Sequence, residues 1–168
     1  MAEVERRAFR MVEMATGNAD DALDILQDAM YKLAQKYSRR DPSEWGPLFH
    51  TILQSRIKDY YRRNSLHNRF RVWLGGKEDM EADPVQALAD VDGILPEDGV
   101  DAGRSMQRIG AAVRRLPLRQ QQAFMLRALE GLDVAETARV MKCSEGSVKT
   151  HYSRAVHTLR EQLQDYRP

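Results

Sequence analysis

Ser147, Lys149, Thr150, His151, Ser153 and Arg154 crowd into eight consecutive positions of the stretch MKCSEGSVKTHYSRAV, residues 141 to 156. These side chains suit a polyanion: Arg forks onto guanine or phosphate, Lys pairs with backbone charge, and Ser and Thr hydroxyls bond phosphates and base edges. Among them Val148, Tyr152, Ala155 and Leu159 fall at i, i+4, i+7 and i+11, one face of a helix and therefore the packed one. Lys149, Thr150, Ser153 and Arg154 then point away from the core. Ser144 stands as the N-cap, so the free N–H groups of the first turn lie beside the same residues and are donors to a phosphate. Gly146, in that turn, leaves room for another surface to approach.

A second cluster runs from Arg56 to Arg71, where six bases and one acid are interleaved with Tyr60, Tyr61 and Phe70. Charge for phosphates and flat rings for unstacked bases is the chemistry of single-stranded nucleic-acid binding. Arg56, Lys58, Arg62 and Arg63 supply the charge. The two tyrosines cannot both face outward; Tyr60 falls on the inward face with Leu48, Phe49, Ile52 and Leu53, which leaves Tyr61 beside the bases.

Enzyme chemistry finds no footing. His50, His67, His151 and His157 are scattered, with no paired carboxylate, Gly-rich phosphate loop or metal spacing. Cys143 is the single cysteine, so there is no internal disulfide, and no ligand set for a metal or cofactor is expected. No run of 18 apolar residues exists and the N-terminus MAEVERRAFR is charged, which points to a cytoplasmic protein.

The elements that carry these clusters read as helices throughout. NADDALDILQDAMYKLAQKY opens on Asn18 as N-cap with Asp20 and Asp21 in the first turn, and its apolar stripe is Leu23, Leu26, Met30, Leu33 and Tyr37. Asp41, Pro42 and Ser43 break the chain before SEWGPLFHTILQSRIKDYYRR. Near the other end, SMQRIGAAVRRL stops at Pro117, LRQQQAFMLRALEG ends on Gly131 as a C′ residue, and DVAETARVMK starts with a capping box of Asp133 and Glu136. Two short-linked helices, the second following the Ser144 cap and running to about Leu163, have the form of a helix-turn-helix.

Net charge of +1 conceals segregation. Residues 77 to 103 hold nine acids and one base, leaving 25 bases and 16 acids elsewhere. From about Gly75 to Gly103 periodicity fades among Pro84, Pro96 and five glycines, so the stretch reads as a flexible acidic linker between two basic blocks. The expected architecture is all-α: a helical domain over 1–73, the linker over 74–103, and a helix-turn-helix domain over 104–168.

GLDVAETARVMKCSEGSVKTHYSRAVHTLRE resembles the region 4 helix-turn-helix of bacterial RNA polymerase sigma factors of the extracytoplasmic-function group. Leu132, Glu136, Ala138, Cys143, Ser144, Gly146, Val148, Lys149, Arg154 and Ala155 match the family pattern in register. His151 departs from it, standing where the family usually has Arg. DILQDAMYKLAQ is similar to the region 2 helix that docks on the clamp of the polymerase β′ subunit, and by that likeness Asp24, Gln27 and Asp28 contact core polymerase. LFHTILQSRIKDYYRR resembles the segment that melts and holds the minus-ten element, with Ser55 in place of the usual Asn; the chain starts one helix short of the family's usual beginning. The resemblance implies a non-enzymatic promoter-specificity factor. Ser147, Lys149, Thr150, His151, Ser153 and Arg154 would meet the minus-35 duplex, and Arg56, Lys58, Tyr61, Arg62 and Arg63 the minus-ten strand. Its implied partners are core RNA polymerase, at the β′ clamp and β flap, promoter DNA, and an anti-sigma factor that clamps both domains and can sit in the inner membrane; no small-molecule substrate is implied. A self-sufficient dimeric activator is the alternative, against which the docking-like helix DILQDAMYKLAQ stands.

Overall fold

The computed structural model describes residues 2–64 and 102–164, so most of the expected acidic linker, together with Phe70 and Arg71, lies outside the described residues. Within them every regular element is helical. Helices α1 (Ala2–Thr16), α2 (Ala19–Tyr37) and α3 (Pro42–Asn64) pack on one another as a first unit. Helices α4 (Ala102–Arg115), α5 (Leu118–Phe124), α6 (Val134–Met141) and α7 (Glu145–Gln164) form the second, with a π-helical turn at Met125–Leu129 continuing α5.

Local chemistry sets the boundaries. Asn18 Oδ1 accepts from the backbone N–H groups of Asp20 and Asp21 at 2.9 and 3.1 Å, the expected N-cap of α2. Asp41 Oδ1 accepts from Ser43 N–H at 2.9 Å, and the hydrogen bonds from Ser43 hold the Asp41 carboxyl below its usual range. Gly131, at φ 70°, ends the α5 path, with Leu132 N–H reaching back to the Leu126 carbonyl at 3.0 Å. The capping box on α6 is complete: Glu136 N–H donates to Asp133 Oδ1 at 2.7 Å and Asp133 N–H to Glu136 Oε2 at 2.9 Å.

Two apolar assignments change. In α2 the buried positions are Ala22, Leu26 and Ala29, flanked by half-buried Ile25 and Leu33, whereas Leu23 and Met30 are 47% and 36% exposed. Both alanines are fully buried, so the larger Leu23 and Met30 fall on the outer face. In α3, Tyr61 rather than Tyr60 is the core tyrosine, at 5% exposure.

The units are not independent bodies. One apolar core runs from Met11 and Val12 of α1 through Leu53 and Ile57 of α3 to Val113, Phe124, Val148 and Leu159 of the second unit. Across the divide α4 lies on α1 and α6 on α3.

Candidate nucleic-acid interface

The helix-turn-helix is built from α6, a three-residue junction and α7. Lys142 makes the turn in the left-handed region, φ 54° and ψ 49°, a conformation that disfavours a non-glycine residue by roughly 1–2 kcal/mol. Neighbouring bonds hold it: the Lys142 N–H is directed at the Ala138 and Arg139 carbonyls, Cys143 N–H donates to Ala138 O at 3.1 Å, and Arg119 Nη1 donates to Met141 O at 2.8 Å. Burial pushes the Cys143 thiol up, with Arg119 opposing, so it is not a thiolate poised for reaction.

Ser144 caps α7 as expected, its Oγ accepting from Ser147 N–H at 3.1 Å and lying 2.8 Å from Ser147 Oγ. Behind the helix, Val148, Tyr152, Ala155, Val156 and Leu159 are buried, and Tyr152 stacks on Phe124 at 6.5 Å between centroids. The Arg127 guanidinium sits 5.6 Å from the Tyr152 ring centre, within cation–π range. Arg127 also bonds the Leu132 carbonyl, tying the π turn to the loop before α6.

On the far side Lys149 is exposed, and Ser147, Thr150, Ser153 and Arg154 are half-buried. His151 lies at the margin of the packed face, with its Nδ1 shut off from solvent. A methyl added at Gly146 would meet nothing nearer than Ser144 Oγ at 3.9 Å, so the fold itself does not require glycine there.

On the first unit, Asp24, Gln27 and Asp28 are all exposed on α2. Sequence reasoning missed their neighbours: Leu23, Met30 and the 67% exposed Tyr31 stand on the same outer side, giving an apolar and acidic surface. The signal was present as the rival stripe Ala22, Leu26, Ala29 and Leu33, at i, i+4, i+7 and i+11.

At the end of α3, Lys58, Arg62 and Arg63 are exposed, while Arg56 is half-buried beside Asp28. Tyr61 must be withdrawn as an exposed strand contact: it is buried and its hydroxyl donates to the Ala15 carbonyl at 2.5 Å. Tyr60 donates to Asp21 Oδ2 at 3.0 Å, and burial, then that bond, raises its phenol above the usual range. Among the described residues no group of three or more His, Cys, Asp or Glu is placed to hold a metal, and no helix is long and apolar enough to cross a membrane.

Of the two helical units, one ends in a helix with a basic last turn and the other holds a capped helix-turn-helix. The family described as Sigma-70 region 2 matches residues 1–67, and that described as Sigma-70, region 4 matches residues 106–159. The chain belongs to the sigma-70 family, whose two regions together span most of it, and it is similar to sigma factors of the extracytoplasmic-function group. It is 33% identical over 162 residues to the ECF RNA polymerase sigma factor BldN of Streptomyces coelicolor, covering 94% of this chain and 56% of that relative. With the ECF RNA polymerase sigma factor SigM of Mycobacterium tuberculosis it shares 28% identity over 152 residues, 89% of this chain and 68% of the relative. The fold is also that of the sigma factor RpoE of Bartonella quintana, solved in complex with the anti-sigma factor NepR; the TM-score is 0.64 at 22% identity, over 99% of this chain and 95% of that one.

Proposed function

We propose that this chain joins core RNA polymerase, directs it to specific promoters and aids their opening. The observation that carries the reading is α7, whose Ser144-capped N-terminus and Lys149, Thr150, Ser153 and Arg154 lie off a face fully committed to packing. A helix so mounted fits a major groove, where base edges specify and phosphates position. Ser147 and His151 flank that surface, Ser147 shared with the cap.

In the same reading residues 1–73 form the unit that meets core polymerase and the minus-ten strand, 74–103 the acidic connection, and 104–168 the minus-35 reader. Asp24, Gln27 and Asp28, with Leu23, Met30 and Tyr31 beside them, give α2 a mixed acidic and apolar surface suited to a basic partner helix on the β′ clamp. The second unit meets the β flap. Arg56, Lys58, Arg62 and Arg63 supply charge to the opened strand. The protein contributes no catalytic group and acts in the cytoplasm, where an anti-sigma factor, the kind of partner held by the RpoE of Bartonella quintana, restrains it, in some cases at the inner membrane.

Purified chain mixed with core polymerase tests this directly. Co-elution with core and initiation from a defined promoter are expected. Tight sequence-specific DNA binding by the free chain, without association to core, overturns it in favour of a self-sufficient activator.

A further inference from the structure

Helix α6 has only eight residues and touches α5, the helix behind it, lightly, whereas α5 packs broadly on α7. What ties α6 to α5 is a pair of arginines. Arg119, near the start of α5, donates from Nη1 to the carbonyl of Met141, the last residue of α6, at 2.8 Å. Arg127, in the π turn that continues α5, bonds the carbonyl of Leu132, one residue ahead of the Asp133 cap. The pair runs antiparallel to the helix it holds: the earlier arginine takes its C-terminal end and the later one its entry.

Each grip falls where the chain needs one. Carbonyls of a last helical turn lack partners within the helix and carry the negative end of its dipole, so a guanidinium suits them. Arg119 Nη1 also lies 3.4 Å from Gln122 Oε1, a second anchor on its own helix. The residue after Met141 is Lys142, whose left-handed backbone is disfavoured for a residue with a side chain. Arg119 thus bonds the turn at the point most ready to relax. At the other end, the Arg127 guanidinium lies 5.6 Å from the ring centre of Tyr152, the buried residue of α7 between His151 and Ser153. One side chain therefore touches both the approach to α6 and the back of α7. Neither arginine belongs to α7, and both are half-buried and bonded to the chain's own carbonyls.

We propose that Arg119 and Arg127 are positioning residues for minus-35 recognition, a two-point mount that holds α6 and the turn so that α7 meets base edges in one orientation. The positioning role rests on the sigma-factor reading; the mount itself does not. Base edges are read by short, directional hydrogen bonds that demand placement to within about 0.5 Å. Phosphates are held largely by charge and tolerate more displacement. A loosened mount thus costs discrimination between sequences before it costs affinity.

Four full-length variants test it. Arg119→Met and Arg127→Met keep a long apolar side chain and remove the donors, while Arg119→Lys and Arg127→Lys return a cationic donor. Amide hydrogen exchange of the free chain reads the mount. Lys142 and Cys143, whose N–H groups bond back into α6, should exchange roughly 10-fold faster in Arg119→Met, and Leu132 in Arg127→Met, with the amides of α1 unchanged. Unchanged exchange at these amides overturns the mount, whatever the chain does on DNA. Transcription with core polymerase, at a temperature where each variant is fully folded, reads the role. Preference for a cognate over a singly mismatched minus-35 element should fall roughly 3- to 10-fold in both Met variants at unchanged core affinity, and recover in the Lys variants. Faster exchange with intact preference makes the two arginines structural alone and overturns the positioning role. A wild-type chain that initiates with no minus-35 preference overturns the sigma-factor reading and the positioning role with it, while the exchange result still decides the mount.

Discussion

Arg56 Nε lies 2.8 Å from Asp28 Oδ2, joining α3, the helix proposed to meet the opened strand, to α2, the helix proposed to meet the polymerase. It is an ion pair by proximity, since the N–H does not make an aligned hydrogen bond. Asp28 is half exposed, so the pair contributes on the order of 0–1 kcal/mol to folding. Its interest is positional: one contact couples the two surfaces of the first unit.

Asp28→Asn should therefore lower core affinity and also loosen Arg56, whereas Asp24→Asn should lower core affinity alone. Core titration paired with a promoter-opening footprint separates the two. Equal effects of both variants on opening, after correction for occupancy, remove the coupling. Helical content should be unchanged in each.

Gly146→Ala should stabilise the fold and harm promoter use. No atom of the chain crowds the new methyl, and Ala is favoured over Gly in a helix by up to about 1 kcal/mol, less in the first turn. Thermal unfolding beside transcription from a minus-35-dependent promoter reads the two effects. A variant that gains stability and keeps full promoter use shows that no DNA approaches this turn.

Arg154→Ala should weaken promoter use in a sequence-dependent way, by ~1–3 kcal/mol for a base-reading contact. A loss spread evenly over all minus-35 sequences, with a shallower salt dependence, makes it a phosphate contact instead.

Burial pushes His50 down to about 4, aided by Arg7 against the pull of Glu136, and pushes Glu130 up to about 7 against Arg7. The folded chain thus holds fewer protons at His50 and more at Glu130 than the unfolded chain. The histidine makes stability fall as pH drops from 6.5 towards 4; the glutamate makes it fall as pH rises from 4.5 towards 7. These slopes offset each other in wild type. Glu130→Gln should unmask the acid-side loss below about pH 6.5, and His50→Gln the opposite slope up to about pH 7, both readable by denaturant unfolding across pH. Parallel pH profiles in all three proteins contradict the assignment.

What the sequence disclosed was local. Asn18, Ser144 and the Asp133–Glu136 box act over three residues, so residue type and spacing suffice. The packed side of α7 was equally legible, because four apolar residues at helical spacing admit one solution. In α2 two solutions existed, and small Ala22 and Ala29 proved to mark the inward one while larger Leu23 and Met30 stayed out. Tyr60 and Tyr61 are neighbours in sequence, and what assigns one to the core is the Ala15 carbonyl, 46 residues away. Gln120, Gln121 and Gln122 carry no sequence signal of burial, yet all three are buried, because α5 is enclosed by partners that no local pattern reveals.

The π turn at Met125–Leu129 sets how α7 is aimed. Such a turn accommodates one residue more than an α-helical path, and each residue of an α-helix advances the chain by about 100°. Deleting a single residue there would restore the simpler path and swing the helix-turn-helix around the axis of α5, carrying Arg154 to a new azimuth. A one-residue change in a loop alters slack; here it alters bearing. The azimuth of α7 relative to α5 is thus written in the integer length of one five-residue segment.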